Sequence, residues 1–132
     1  MILGVMGIFD WLRGSKVPAR DSDNTRRSKD AQVIRVLAGH GDMASRPHQI
    51  DHFAYFRSES DAQQFAAWAA ASGFLIKTVS QSSVKMLPVC VEFTHTGPAT
   101  LEAVFTKTTA AEEAAARCSG LYDGWGTGIV AE

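Results

Sequence analysis

Cysteine is scarce in this sequence, which has only Cys90 and Cys118 among its 132 residues. The two show neither the close pair spacing of a zinc site nor the density of a disulfide framework, so both kinds of cross-link are excluded. Such usage is typical of a reducing cytoplasm. We therefore predict a cytoplasmic protein in which each cysteine acts as a small buried hydrophobic residue.

The sequence also lacks an excess of charge of either sign. Thirteen basic and fourteen acidic side chains give a formal net charge of −1, so no overall field attracts nucleic acid or anionic lipid. Direct nucleic-acid binding would need a local basic patch and is not expected. Apolar residues make up 45% and charged residues 20% of the chain, which is typical of a globular domain and argues against disorder of the whole chain.

Long apolar runs are absent as well. The opening MILGVMGIFDWLRGSK is too short to span a bilayer and lacks the features of a signal peptide, so we expect no membrane association. Residues 14–29 turn polar and charged, and Arg26 and Arg27 in this stretch are interpreted as solvated. We predict a flexible N-terminal segment and linker over residues 1–29 and one domain over residues 30–132.

Hydrophobic periodicity divides that domain into helices and strands. A first helix begins at about Asp30 and ends in GHGD. A second follows Ser58, which with Asp61 resembles a capping box, and stops at Gly73. The last helix opens at Gly97. The predicted strands are HQIDHFAYF, FLIKTVS, LPVCVEFTH and LYDGWGTGIV.

Alternation within the strands predicts which side chains face the core. In HQIDHFAYF, Phe53 and Tyr55 point to one face, whereas Ile50, Ala54 and Phe56 point to the other. In LPVCVEFTH one face is expected to consist of Leu87, Val89, Val91 and Phe93.

After the extra N-terminal helix, the order of elements is strand, helix, strand, strand, helix, strand. This is the ferredoxin-like split β-α-β arrangement, an α+β sandwich in which two helices cover one face of a four-stranded antiparallel sheet. The other face of the sheet remains available. LYDGWGT, so close to the end of the sequence, is therefore predicted to be a closing strand whose glycines permit a bulge or a close approach by another backbone.

No combination of residues indicates catalysis. His52, Asp51, Glu92 and Asp123 could supply acid and base groups. Neighbouring residues of a strand point to opposite faces, however, so Asp51 and His52 cannot share a pocket without a bulge. The four histidines lack the spacing of a zinc site, and no glycine-rich phosphate loop is present. We therefore expect no enzyme activity, no metal and no cofactor.

Large aromatic residues at a sheet edge or an open face favour binding to another protein. Tyr122 and Trp125 are the best candidates, and the alternative is that Trp125 completes the core. Asp123 could do no more than satisfy a turn. The predicted partner-binding residues are Asp51, His52, Tyr55, Tyr122, Asp123 and Trp125.

Two other functions remain open. Phe53, Tyr55 and Trp125 could form the base-stacking platform of an RNA-recognition module, although Glu92 lies where a positive surface would help. A homodimer of ferredoxin-like subunits could instead enclose a small ligand. An uncovered sheet face would favour dimerisation, and a deep apolar pocket bearing His52 would favour a ligand.

Three segments carry a resemblance to a known family. GDMASRPHQIDHFAYF, SESDAQQFAAWAAASGF and above all LYDGWGT resemble the regulator of ribonuclease activity B family, the ribonuclease E inhibitor proteins of bacteria. The resemblance extends from the first helix to the last strand and implies a ferredoxin-like α+β sandwich without enzyme activity. It also implies a protein partner, ribonuclease E, bound outside its catalytic site so that the choice of degraded RNAs changes.

The sequence differs from the family pattern at both ends. The better-known inhibitors carry a strongly acidic extension after the YDGWGT strand, whereas this sequence ends at Glu132. We expect any contact made by that extension to be missing. MGIFDWLRG and the linker lie outside the family core, and the local partner could be a component associated with ribonuclease E.

Overall fold

A computed structural model describes residues 19–131, in which three helices lie on a four-stranded sheet. The elements are α1 (Asp23–Gly39), β1 (Pro47–Phe56), α2 (Glu59–Ala71), β2 (Leu75–Gln81), β3 (Val89–Pro98), α3 (Leu101–Arg117) and β4 (Gly120–Thr127). The predicted α+β class and the split β-α-β order after an extra N-terminal helix are confirmed. The predictions for residues 1–18 lie outside the described residues.

The sheet is antiparallel throughout, with the strands in the order β2-β3-β1-β4. β1 pairs with β3 along its whole length and with β4 from Ile50 to Phe56. Ala54 and Phe56 of β1 are buried beneath the helices, whereas Tyr55 packs against a loop on the opposite side. The faces predicted for β1 are therefore confirmed.

All three helices pack on the same face of the sheet. Phe65 of α2 and Ala111 of α3 share a core with Ala54 of β1. α1 lies beside α3, and its Leu37 is buried in a second core that includes Trp125 of β4. The opposite face carries no helix in the described part of the chain, so it is the surface that the sheet leaves available.

The first helix is longer than the sequence suggested. We placed its start at about Asp30, but α1 begins at Asp23 after Ser22, whose Oγ accepts a hydrogen bond from the Thr25 backbone N–H at 3.2 Å. The interpretation of residues 23–29 as linker was therefore wrong. The density of charge in this stretch suggested a linker. However, Arg26 and Asp30 lie one helical turn apart and form an ion pair.

The ends of α2 follow the signals in the sequence. The Ser58 hydroxyl accepts a hydrogen bond from the Asp61 backbone N–H at 3.1 Å, as an N-cap does. Beyond the other end, Gly73 has a φ of 91°, a left-handed conformation that glycine adopts without steric cost. Both predicted boundaries are confirmed.

The start of β3 differs from the prediction. The strand begins at Val89, and Leu87 lies in the preceding loop, where it packs with Leu121 and Tyr55 on the face opposite the helices. Assigning Leu87 to the same face as Val91 and Phe93 was wrong, since those two residues lie in the core beneath the helices. The alternation had been extended through Pro88, which cannot donate a hydrogen bond to the ladder.

LYDGWGT forms the closing strand β4, as predicted. Its first residue, Gly120, pairs with Phe56 and lies so close to the Phe56 ring and the Tyr55 carbonyl that a Cβ atom would collide with both. The close backbone approach expected of this glycine-rich strand is confirmed.

Candidate functional site

The sheet face opposite the helices is the candidate binding surface. We call it the open face and define it by Asp51, Phe53 and Tyr55 of β1, Lys77 of β2 and Glu92 of β3. These residues lie on one side because Phe53 pairs directly with Glu92, and Lys77 contacts both carboxylates. Two of the predicted partner-binding residues, Asp51 and Tyr55, thus lie on the same face of the sheet, where Asp51 is buried at 4% exposure and Tyr55 is half-buried.

Lys77 links the charges of the open face. Its Nζ lies 2.9 Å from Glu92 Oε2 and 3.5 Å from Asp51 Oδ1. The hydrogen bond to Glu92 raises the pKa of Lys77, and the negative charge of Asp51 adds to this effect. The sequence prediction missed Lys77, although a single lysine within an otherwise uncharged strand was a signal that it would pair across the sheet.

A loop covers one end of the open face. Val84 and Leu87, between β2 and β3, pack on Leu121 and Tyr55. Burial raises the pKa of Tyr55, and its interactions with Cys90 on the adjacent strand add to the shift. Tyr55 is consequently held half-buried.

β4 contributes a bulge beside the open face. Phe53 pairs with Gly124 and Ala54 pairs with Tyr122, which leaves Asp123 as the extra residue. Gly124 has a φ of 152°, a value that L side chains rarely adopt. The charge of Asp123 contributes to raising the pKa of both Tyr55 and Cys90. Asp123 therefore belongs to a strand bulge and not to the turn suggested for it.

His52 and Tyr122 lie on the helix-facing side of the sheet. His52 is fully buried, with Nδ1 at 2.8 Å from the Tyr122 hydroxyl and Nε2 at 2.9 Å from His95 Nδ1. Burial lowers the pKa of His52, the neighbouring His95 lowers it further, and burial lowers the pKa of His95 to about 4. Two neutral imidazoles and a phenol therefore form a buried hydrogen-bonded chain within the core.

Trp125 also lies in the core. Its ring is fully buried, and its Nε1–H donates to Asp30 Oδ1 over 2.9 Å. The sequence left open whether Trp125 completes the core or meets a partner, and its burial means that contact would first require opening of the core. His52 and Tyr122 are buried as well. Contact of His52, Tyr122 and Trp125 with a partner therefore stays a prediction, because none of the three lies on the surface of the folded chain.

A buried ionic network joins Trp125 to the helices. Asp30 pairs with Arg26 Nε at 3.1 Å and accepts a hydrogen bond from Thr108 Oγ1 at 2.6 Å, and Arg26 Nη1 lies 3.3 Å from Glu112 Oε1. Arg26 is 3% exposed, so its interpretation as a solvated residue was wrong. The spacing of Arg26 and Asp30 on one helical face was the signal that could have identified the pair.

Two kinds of feature are absent from the described residues, namely a metal-binding cluster and a membrane-spanning helix. Within residues 19–131 no group of three or more histidine, cysteine or carboxylate side chains could hold a metal ion. No helix in that range is long and apolar enough to cross a bilayer. His52 and Asp51 point to opposite faces of β1, so they cannot act together as an acid and base pair.

Comparison with protein families gives the decisive assignment. Residues 27–127 match the model of the family described as regulator of ribonuclease activity B. The chain belongs to that family. The match spans α1 from its second turn to the end of β4, so it includes the open face and every member of the buried network except Arg26. A search of curated proteins found no significant match.

Membership of the regulator of ribonuclease activity B family identifies the chain as a regulator of ribonuclease activity. The family is one of regulators and not of catalysts. A regulator of this kind acts on another protein, so the surfaces that the fold leaves exposed determine how it can do so.

Proposed function

We propose that this protein modulates RNA decay in the bacterial cytoplasm by binding ribonuclease E, or a protein associated with it, through its open face. The observation that carries the proposal is the match of residues 27–127 to the regulator of ribonuclease activity B family. Regulation without catalysis requires a surface that contacts the nuclease or its assembly. The mechanism would be occlusion or altered positioning through that contact.

The open face has the composition of a protein-binding surface. The half-buried rings of Phe53 and Tyr55 offer apolar area together with a hydroxyl group. Beside Phe53, the partly exposed Lys77 and Glu92 form an ion pair that can fix the orientation of a partner, and the buried Asp51 holds Lys77 from below. On the other side of the sheet, the large side chains are already occupied in the core.

RNA is a less suitable partner for this surface. The carboxylates of Asp51 and Glu92 flank Lys77, and a phosphate backbone would meet their negative charge. Trp125, which would complete a base-stacking platform with Phe53 and Tyr55, lies on the opposite face and is buried. These placements support a protein partner.

A small ligand also has weaker support. His52 is fully buried and is enclosed by Phe74, Phe93 and Tyr122. A groove of about 600 Å³ lies elsewhere, where α2 begins and β2 ends. This groove does not include His52, so it is not the deep pocket that would favour a ligand.

The direct test is cleavage of a defined RNA by full-length ribonuclease E from the same bacterium, with this protein titrated in. Saturable slowing that disappears when the non-catalytic scaffold of the nuclease is deleted is the expected result. If cleavage is unaffected and no complex forms at micromolar concentrations, the proposal of ribonuclease E as partner is wrong.

A matched pair of variants tests the surface. Phe53→Ala removes a ring from the open face and should raise the concentration for half-maximal inhibition about ten-fold or more, as expected for a central aromatic contact. Phe105→Ala removes the same ring from α3, where it packs under Arg27, and should change that concentration by less than about two-fold. Equal effects from two folded variants would exclude the open face.

A further inference from the structure

His95 is the outer end of the buried hydrogen-bonded chain. Its Nδ1 lies 2.9 Å from His52 Nε2, and His52 Nδ1 lies 2.8 Å from the Tyr122 hydroxyl. The other ring nitrogen of His95, Nε2, has no hydrogen-bond partner in the described part of the chain, and it keeps contact with solvent although His95 is only 7% exposed. The pairing of β2 with β3 begins at Thr94, so the His95 ring lies just beyond the end of that ladder.

The hydrogen bonds of this chain determine which nitrogen of His95 carries the proton. Burial raises the pKa of Tyr122, so its hydroxyl keeps a proton. Within residues 19–131 that hydroxyl has His52 Nδ1 as its one hydrogen-bond partner, so it must donate there, because the opposite arrangement leaves a buried O–H without an acceptor. His52 then donates from Nε2 to His95 Nδ1. A neutral His95 therefore carries its proton on Nε2 and presents it to solvent.

Lys107 of α3 brings a positive charge close to His95. Its Nζ lies 5.0 Å from the centre of the Phe74 ring, and the centre of the His95 ring lies 5.6 Å from the same point. The ion pairs that lysines form in the described residues involve Lys29 and Lys77 and not Lys107. Alanine or valine occupies each position three or four residues from Lys107, so α3 offers it no carboxylate. Lys107 is thus a half-buried ammonium group without a counter-ion.

We propose that the His95 Nε2–H and the Lys107 ammonium group bind a carboxylate, with Tyr122 as the positioning residue that directs the His95 proton outward. Both groups are hydrogen-bond donors that lack an acceptor among the described residues, and an oxyanion would satisfy them. Burial keeps His95 neutral, so the site carries the single positive charge of Lys107. One carboxylate balances that charge, whereas a phosphate dianion would not. The inference does not depend on the proposed function.

Glycine lies beside each donor and leaves room for the ligand. A Cβ atom added at Gly97 would lie 4.0 Å from His95 Nε2, and one added at Gly73 would lie 3.7 Å from Lys107 Nζ. No side chain at these two positions therefore blocks the approach of a carboxylate. Either a free acid or an acidic side chain of another protein supplies this chemistry.

Nitrogen NMR of the full chain with isotope-labelled histidine tests the proton assignment. At neutral pH we expect the Nε2–H tautomer of His95, and the Nδ1–H tautomer would overturn the proposal. Tyr122→Phe removes the directing hydroxyl and keeps the ring, so the Nδ1–H tautomer of His95 should become populated. A folded Tyr122→Phe variant that shows the Nε2–H tautomer alone would refute the positioning role of Tyr122.

Titration with carboxylates tests binding. The probes are sodium acetate and a tetraglutamate peptide, the reference is sodium chloride at the same ionic strength, and the measurement is the His95 Nε2 resonance. We expect a saturable shift whose affinity Lys107→Gln weakens about ten-fold or more, because a charge-assisted hydrogen bond is lost. Lys85→Gln removes the same charge at an exposed loop position and should leave the affinity unchanged.

The two probes distinguish the sources of the carboxylate. Tighter binding of tetraglutamate than of acetate at equal carboxylate concentration supports an acidic side chain of another protein, and equal binding supports a free acid. If neither probe shifts the His95 resonance saturably, or if Lys107→Gln and Lys85→Gln weaken binding equally, the proposal is wrong.

Discussion

Replacing Asp30 with alanine should greatly reduce the stability of the fold. The Asp30 carboxylate is fully buried and accepts hydrogen bonds from Arg26 Nε at 3.1 Å, Thr108 Oγ1 at 2.6 Å and Trp125 Nε1 at 2.9 Å. Its loss leaves the Trp125 Nε1–H unpaired, Thr108 Oγ1 with only its longer hydrogen bond of 3.3 Å to the Phe105 carbonyl, and a buried guanidinium with Glu112 as its nearest carboxylate. Removing one member of a buried ion pair costs about 3–5 kcal/mol, a large share of the ~5–15 kcal/mol that stabilises a domain.

An exposed ion pair on the same helix provides the control. Asp23 Oδ1 lies 2.9 Å from Arg20 Nη2, but the Asp23 side chain is 64% exposed, so Asp23→Ala should cost about 1 kcal/mol or less. Asp30→Asn, which keeps the shape and one acceptor, should fall between the two alanine variants. Urea denaturation followed by far-ultraviolet circular dichroism measures all three. A free energy of unfolding for Asp30→Ala no lower than that of Asp23→Ala would refute the assignment of the network as structural.

Two further predictions concern the core. Burial lowers the pKa of His95 from 6.5 to about 4. Between these pH values the unfolded chain binds a proton that the native chain excludes. The stability of the fold should therefore be fully present above pH 6.5 and fall as the pH drops toward 4. His95→Asn should reduce the pH dependence of the urea midpoint of unfolding, whereas His40→Asn, at an exposed position, should not. The same dependence of the midpoint on pH in both variants would contradict this prediction. Gly120→Ala should cost about 1–3 kcal/mol because the added carbon meets the Phe56 ring. Gly39→Ala, which meets nothing within 4 Å, should leave the melting temperature unchanged or slightly raised, and equal melting temperatures would argue against crowding at Gly120.

Local signals in the sequence were sufficient for most of the fold. Ser58 before a helix-forming run and Gly73 after it correctly bounded α2, because capping and left-handed geometry depend on neighbouring residues alone. The alternation of Phe53 and Ala54 correctly assigned the faces of β1. The order of the elements then restricted the topology to one common arrangement.

Properties that depend on distant residues were harder to predict. Arg26 is buried because Asp30 and Glu112 satisfy its guanidinium, and Glu112 lies on a different helix. Leu87 is buried on the open face because its loop folds back over Tyr55. The contact of Arg26 with Glu112 and the packing of Leu87 on Tyr55 have no local signature. Charge density therefore suggested a linker in the first case, and simple alternation suggested the wrong face in the second.

The closing strand shows how the candidate site must be tested. Tyr122 and Trp125 of β4 point into the core, whereas Asp123 is the extra residue of a bulge beside the open face. Trp125→Ala would empty a fully buried ring site and remove the donor to Asp30, at a cost of about 3–5 kcal/mol. If that variant lost partner binding, the result would not distinguish unfolding of the domain from loss of a contact with the partner. Only substitutions such as Phe53→Ala, which change the surface and leave the buried network intact, can locate the interface.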